Sequence, residues 1–313
     1  LLLFLRLLLA LALLALGRLL FRWRRRRGRH PGQRRDADLG LEGLPNLRRS
    51  EREPWDDGDD DVDGFADDAP LPPELLLRRG DVDHAFAAHT FKKYPDAKRY
   101  TDYRKLLADK TIDAVVIATP NHWHSLITIW GCQAGKDVYV EKPMTIDLEH
   151  ANEALDLARA KQRVVQAGTQ RRSEGRFISA SKVIAGGALG TLNRIVAAYY
   201  VNAPRWKRTN DKCEVADVDW DGYLLHLPKR PFDASLLREW QLHRETSNGM
   251  PGLWMTHYAD ATSFLTGAKY PASAVAHGGT YVWKDGREHA DTFYALVDYP
   301  EGFIFNWGMG LGN

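Results

Sequence analysis

Residues 114–145 read AVVIATPNHWHSLITIWGCQAGKDVYVEKPMT, and the fold follows from them. Ala114 to Ile117 form a continuous apolar run of strand length, the mark of a strand covered on both faces. In the segment after Pro120, Trp123, Leu126, Ile127 and Trp130 recur at helical spacing, and Gly135 is suited to end that helix. Val138, Tyr139 and Val140 then predict a second strand, which places Glu141 and Lys142 side by side just before Pro143. Strand, helix and strand at this spacing predict parallel strands joined by right-handed crossovers.

The pattern continues outward. Upstream, Ala85, Ala88 and Phe91 predict a helix that Pro95 ends, a short strand follows at Tyr100, and Asp102 is placed to cap a helix over YRKLLADK. Downstream, DLEHANEALDLARAKQ predicts a helix and RVVQAGTQRR another strand. Polar clusters thus fall on successive strand ends: TPNHWH (119–124), EKP (141–143) and GTQRR (168–172). Ligands of open parallel sheets bind outside the carboxyl ends of the strands, so these clusters are expected to line one crevice.

Beyond Ser173 the rhythm changes. A helix over EGRFISASKVIAGGALG leads to a strand over TLNRIVAAYYVN, and 202–250 reads as irregular, rich in Trp, Arg and Pro. A helix around GLWMTHYADATSFLTG precedes strand-like stretches from Ser273 onward, with turns at Asp285-Gly286 and Pro300-Glu301-Gly302. This predicts a second, α+β domain with a mostly antiparallel sheet, left incomplete where the chain stops.

Residues 1–80 differ in character. LLLFLRLLLALALLALGRLLF (1–21) has about the ~20 apolar residues a membrane-spanning helix needs, and an arginine cluster follows it. The chain begins at Leu1, its first Met is Met144, and no Lys, Ile, Tyr or Thr precedes Thr90. GC-rich DNA read in a wrong frame gives such a composition. The segment is expected to be either non-native or a signal anchor followed by a disordered linker, with 22–80 lacking periodicity and carrying like-charge blocks. Membrane contact follows only if 1–21 is native.

Over all 313 residues the hydrophobic share is 44%, the charged share 27% and the net charge +2, which gives no argument for a nucleic-acid partner. Two cysteines, Cys132 and Cys213, are too few for a disulfide framework, and no metal-ligand cluster is visible.

AVVIATPNHWHS, GKDVYVEKPMT, VVQAGTQRR, GALGTLNRI and WMTHYADATSFLTG, in that order, resemble the glucose-fructose oxidoreductase, inositol dehydrogenase and rhizopine-catabolism family (Gfo/Idh/MocA), closest to a bacterial branch with many exported members. The resemblance covers about 81–313 and implies an NAD- or NADP-binding Rossmann domain (81–172) followed by a substrate and oligomerisation domain (173–313). The implied fold class is α/β, an incomplete Rossmann-type parallel sheet followed by the α+β domain, and the implied activity is hydride transfer from a sugar or cyclitol hydroxyl. It implies a homo-oligomer formed through the second sheet, in the bacterial cytoplasm or exported. Thr119, Pro120, Asn121, His124, Glu141, Lys142, Gln170 and Arg171 match cofactor-binding positions, and Asp81 or Asp83 matches the acid that holds the ribose hydroxyls and favours NAD. Lys142 and His257 match the proton-handling pair, with Asp260 one turn beyond His257.

The chemistry suits these residue types. The departing hydroxyl proton needs an amine or imidazole within hydrogen-bond reach, and Glu141 can set how basic Lys142 is. Read without the resemblance, Lys142 is a strand-end lysine reaching solvent, and His257 is equally a satisfied helix histidine.

Two departures stand out. No strand-glycine-helix turn to cradle a pyrophosphate precedes Asp81, so the chain is expected to bind a dinucleotide poorly and to lack the sheet's central strand. Leu253 also stands where dehydrogenases of the family usually carry an acid, four residues before His257. That leaves room for an NAD-dependent glycosidase working by transient oxidation and elimination, or for a non-catalytic, membrane-tethered member.

Overall fold

The computed structural model describes residues 78–80, 88, 91–92, 94–203 and 213–312. All of them lie in one folding unit, Glu74–Asn313. Asp81, Asp83 and the apolar stretch 1–21 fall outside the described residues.

The quoted stretch folds as read. Strands β3 (Ala114–Ile117), β4 (Asp137–Glu141) and β5 (Val165–Gly168) form a parallel sheet in the order β3-β4-β5. On β4 Val138, Tyr139 and Val140 are buried on both faces, whereas on β3 Val115 and Ile117 are buried and Ala114 and Val116 are only half-buried. The shorter β1 (Arg78–Gly80) and β2 (Lys98–Tyr100) pair in parallel as a separate sheet. Among the described residues no strand joins the two pieces.

Helix α1 (Tyr103–Ala108) is capped by Asp102, whose carboxylate accepts from the amide of Arg104 at 2.9 Å. Asp147 likewise caps α3 (Leu148–Ala160) through the amide of His150 at 2.9 Å. Each such cap contributes about 1 kcal/mol. Between them α2 (His124–Gln133) follows a 3-10 turn, Asn121–Trp123. Its sequence marks one apolar face, but Ser125, Thr128, Ile129, Gly131 and Cys132 are buried as well. Gly131 makes this enclosure feasible: a Cβ there would lie 3.0 Å from the Val138 side chain of β4.

The second sheet has the order β6-β9-β8-β7, from β6 (Arg194–Tyr200), β7 (Ser273–Gly279), β8 (Thr292–Tyr299) and β9 (Phe303–Gly310). β7, β8 and β9 pair antiparallel and β6 pairs parallel to β9, so the sheet is mixed. Phe303, Phe305, Trp307 and Met309 alternate inward along β9 and are buried. Against that core lie Trp254, Met255, Tyr258 and Ala259, from a π-helical turn, Pro251–Met255, and the helix α7 (Thr256–Thr266) that continues it. Helix α4 (Gly175–Ala185) packs beside α7.

Two stretches differ from their reading. The irregular segment carries short helices, α5 (Trp220–Leu224) and α6 (Ala234–Arg238), around a core of Tyr223, Leu224, Leu227, Leu236 and Leu237. Helices of 5 residues are too short for a periodic signal, and each starts on an Asp cap, Asp219 or Asp233. Residues 280–291, read as strand and turn, form a loop instead. Buried Asp291 holds it, its carboxylate accepting from the amides of Tyr281, Val282 and Trp283 at 2.8–2.9 Å. Gly286, at φ 89°, supplies the turn, since only glycine takes that conformation without strain.

Candidate active site

Glu141 ends β4 with its carboxylate buried. Its register partner on β5 is Gly168, where a Cβ would come within 2.9 Å of the Glu141 carboxylate, so the glycine makes room for it. Burial pushes the Glu141 carboxyl above its usual range, against the opposing pull of Lys142 and of the Tyr139 hydroxyl, which donates to it at 3.3 Å. Lys142 turns away from solvent and donates from Nζ to the Leu253 carbonyl at 2.7 Å. Burial, opposed by Glu141 and assisted by Arg171, lowers its pKa to about 8.

The Leu253 carbonyl belongs to the π-helical turn that leads into His257. The His257 side chain is 5% exposed and its Nδ1 has no hydrogen-bond partner. Burial, then the charges of Lys142 and Arg171, push its pKa down to about 3. Two proton-carrying groups at one place thus have affinities driven far apart, a pattern that separates acid–base roles. Lys142 can exchange a proton near neutral pH, while His257 stays neutral and can only donate or accept a hydrogen bond.

The loop after β3 is tied to the turn after β4 by His124. Its Nε2 lies 2.7 Å from the Thr119 carbonyl and its Nδ1 2.7 Å from the Pro143 carbonyl. Burial outweighs the two carbonyls and keeps its pKa below the usual histidine value, so the neutral ring donates to one carbonyl only. His124 is therefore a brace between two strand ends rather than a ligand-facing group. A second brace joins the same loop to α5: the Trp123 indole donates to the Tyr223 carbonyl at 2.9 Å, and His122 Nε2 lies 3.0 Å from it.

The buried polar atoms without a partner around these strand ends include Thr119 Oγ1, Asn121 Nδ2, His122 Nδ1, Gln170 Oε1 and His257 Nδ1. Buried polar groups are nearly always hydrogen-bonded, and a concentration of exceptions calls for a ligand. Amide and hydroxyl groups at such strand ends fit the carboxamide and ribose of a nicotinamide. No described residue supplies the phosphate cradle for the rest of a dinucleotide.

Arg171 stacks on Tyr258, with 4.8 Å from its guanidinium carbon to the ring centroid. Asp260 does not orient His257; it accepts from Arg172 at 2.6 Å. Sequence reasoning passed over Leu253 as a functional partner and gave Arg172 no role beyond its place in the GTQRR cluster. The first acts through a backbone carbonyl, which no side-chain pattern reveals, and the second through a contact between distant segments.

Residues 82–169 match the Gfo/Idh/MocA family, described as oxidoreductases with an NAD-binding Rossmann fold. D-xylose 1-dehydrogenase (NADP+) of Hypocrea jecorina is 34% identical over 108 residues, 34% of this chain and 28% of that protein. The scyllo-inositol 2-dehydrogenase (NAD+) of Bacillus subtilis is 34% identical over 120 residues, 38% of this chain and 35% of that protein. The matched part spans about a third of the length of these curated relatives, which are fungal as well as bacterial and so do not single out a bacterial branch. A solved levoglucosan dehydrogenase, in complex with NADH and levoglucosan, superimposes with a TM-score of 0.58 at 20% identity, covering 76% of this chain and 58% of that one. The likeness extends the shared fold into the second sheet. Over residues 82–169 the chain is thus similar to the Gfo/Idh/MocA oxidoreductases.

Proposed function

We propose that this chain carries the reactive half of an NAD(P)-dependent oxidoreductase that removes hydride from a sugar or cyclitol hydroxyl carbon. The observation that carries the reading is Lys142: a half-buried amine with its pKa brought to about 8, fixed on the Leu253 carbonyl beside neutral His257. In this reading residues 81–172 hold the cofactor and 173–313 the substrate.

NAD or NADP, when bound, supplies the hydride acceptor. Thr119, Asn121 and Gln170 hold its nicotinamide end by hydrogen bonds that nothing else in the crevice takes. Lys142 Nζ takes the proton of the substrate hydroxyl, Glu141 sets how firmly the amine holds it, and His257 orients the hydroxyl by a hydrogen bond. A positioned base of this kind contributes about 10²–10⁴-fold in rate. The two relatives act on a pentose and a cyclitol, as their names state, which supports the substrate class.

A homo-oligomer through the second sheet belongs to the same reading. Val196, Leu296 and Val275 lie in one register row across β6, β8 and β7, with Tyr294, Tyr200 and Ile304 nearby, and all of them are exposed. An open apolar sheet face of this kind is what a second copy of the chain covers.

Fluorescence titration with NADH and with reduced nicotinamide mononucleotide tests the cofactor reading. NADH is expected to bind no more than about tenfold more tightly, because no described residue cradles the phosphates. Binding of neither refutes the reading. Incubation with NAD and nitrophenyl glycosides tests the reaction: aglycone release without net NADH would favour the glycosidase instead.

A further inference from the structure

Among the described arginines on the substrate side of the crevice, each has a matching acid except one. Arg172 pairs with Asp260 at 2.6 Å, and Arg176 with Glu174 at 2.5 Å. Lys142 stands beside buried Glu141, which offsets its charge. Arg171 touches only aromatic faces, those of Tyr258 at 4.8 Å and Phe177 at 5.9 Å, and no carboxylate among the described residues pairs with it. Those contacts leave its N–H donors unused. The two cations bracket His257 along one helix: Lys142 docks at Leu253 and Arg171 at Tyr258. Between them His257 presents an unpartnered Nδ1 on a side chain 5% exposed.

We propose that the ligand received between Lys142, Arg171 and His257 is a sugar acid, its carboxylate held by Arg171 and its hydroxyls by His257 and Lys142. This rests on reading the crevice as a sugar site and names the class of sugar. A guanidinium receives a carboxylate through paired N–H donors, and such charge-assisted bonds are about twice as strong as neutral ones. One unmatched positive charge also chooses between anions. A carboxylate brings a single negative charge and balances the site, whereas a phosphate ester brings about −1.5 to −2 and leaves an excess. A neutral sugar leaves Arg171 half-buried without an anion. Leu253 fits this arrangement, because an acid there would already neutralise the position that the ligand's carboxylate serves.

Calorimetric titration of the full chain tests the proposal without cofactor. D-glucuronate, D-galacturonate and D-gluconate are each compared with glucose, galactose and sorbitol, and with glucose 6-phosphate, at low salt and neutral pH. At least one carboxylate should bind about tenfold or more tightly than its neutral counterpart, and its advantage should shrink as salt rises. Arg171→Gln should abolish the advantage and Arg171→Lys keep part of it, with melting temperatures reporting that the variants fold. Equal binding of acids and neutral sugars, a preference for the sugar phosphate, or an advantage that survives Arg171→Gln would overturn it. If Arg171→Gln unfolds, the wild-type comparison alone decides. Reduced nicotinamide mononucleotide titrated into the same sample reports separately on the oxidoreductase reading: its failure to bind, with the acid preference intact, removes the redox role and leaves the sugar-acid site.

Discussion

Two regions of this protein bury polar groups and treat them in opposite ways. In the loop 280–291, Asp291 is fully buried, and its carboxylate takes the amides of Tyr281, Val282 and Trp283 and the Thr292 hydroxyl. Burial alone would raise its pKa, but these donors outweigh it and hold the carboxyl below the usual range. At the ends of β3 and β5 and on α7, buried Asn121 and His257 and half-buried Thr119 and Gln170 each keep an enclosed polar atom without a partner. A satisfied polar cluster fixes structure, whereas an unsatisfied one stays ready for a ligand.

The largest expected effect tests the unsatisfied side. Lys142→Met should lower turnover by about 10²–10⁴-fold while nicotinamide binding and melting temperature change little. A loss of under tenfold would place the proton elsewhere. On the satisfied side, Asp291→Ala strands three amides in a buried loop and should cost about 3 kcal/mol in denaturant unfolding. The catalytic groups should keep their pH profile. The comparison fails if the variant is as stable as the parent.

The pH profile sharpens it further. The deprotonated amine is the form that accepts the hydroxyl proton, and its pKa is lowered to about 8. Oxidation should therefore rise about tenfold per pH unit below 8 and level off above it, and reduction, which needs the ammonium, should run the other way. Histidine should leave no inflection near its usual pKa, because His257 is held neutral down to about 3. Thr119→Val gives the smallest effect and the cleanest contrast. Removing a hydroxyl that has no partner should leave stability within about 0.5 kcal/mol of the parent, or raise it, while weakening nicotinamide binding. Equal losses of stability and binding would mean that Thr119 is structural.

Much of the site is legible in the sequence because parallel strands announce themselves. Apolar runs such as Val138 to Val140, alternating with helical stretches, read as strands buried on both faces, and the polar residues that follow successive strands gather at one edge. That puts Thr119, Asn121, Glu141, Lys142, Gln170 and Arg171 in one place without coordinates. His257 is harder, since it reaches the crevice from another domain's helix, and its spacing to Asp260 suggested a partner that Arg172 takes instead. The short helices of 213–242 and the loop on Asp291 stayed unread, because each is held by a few specific hydrogen bonds rather than by a repeating pattern.

The sequence by itself determined the parallel order of strands and helices, the crevice at their ends and the pairing of Glu141 with Lys142, for these follow from apolar periodicity and residue order. Only the tertiary structure decided which base is usable. Depth of burial, the Leu253 carbonyl on Lys142 and the stacking of Arg171 on Tyr258 all arise between segments far apart in the chain. Proton affinity depends on the groups that folding brings into contact, and local sequence does not contain them.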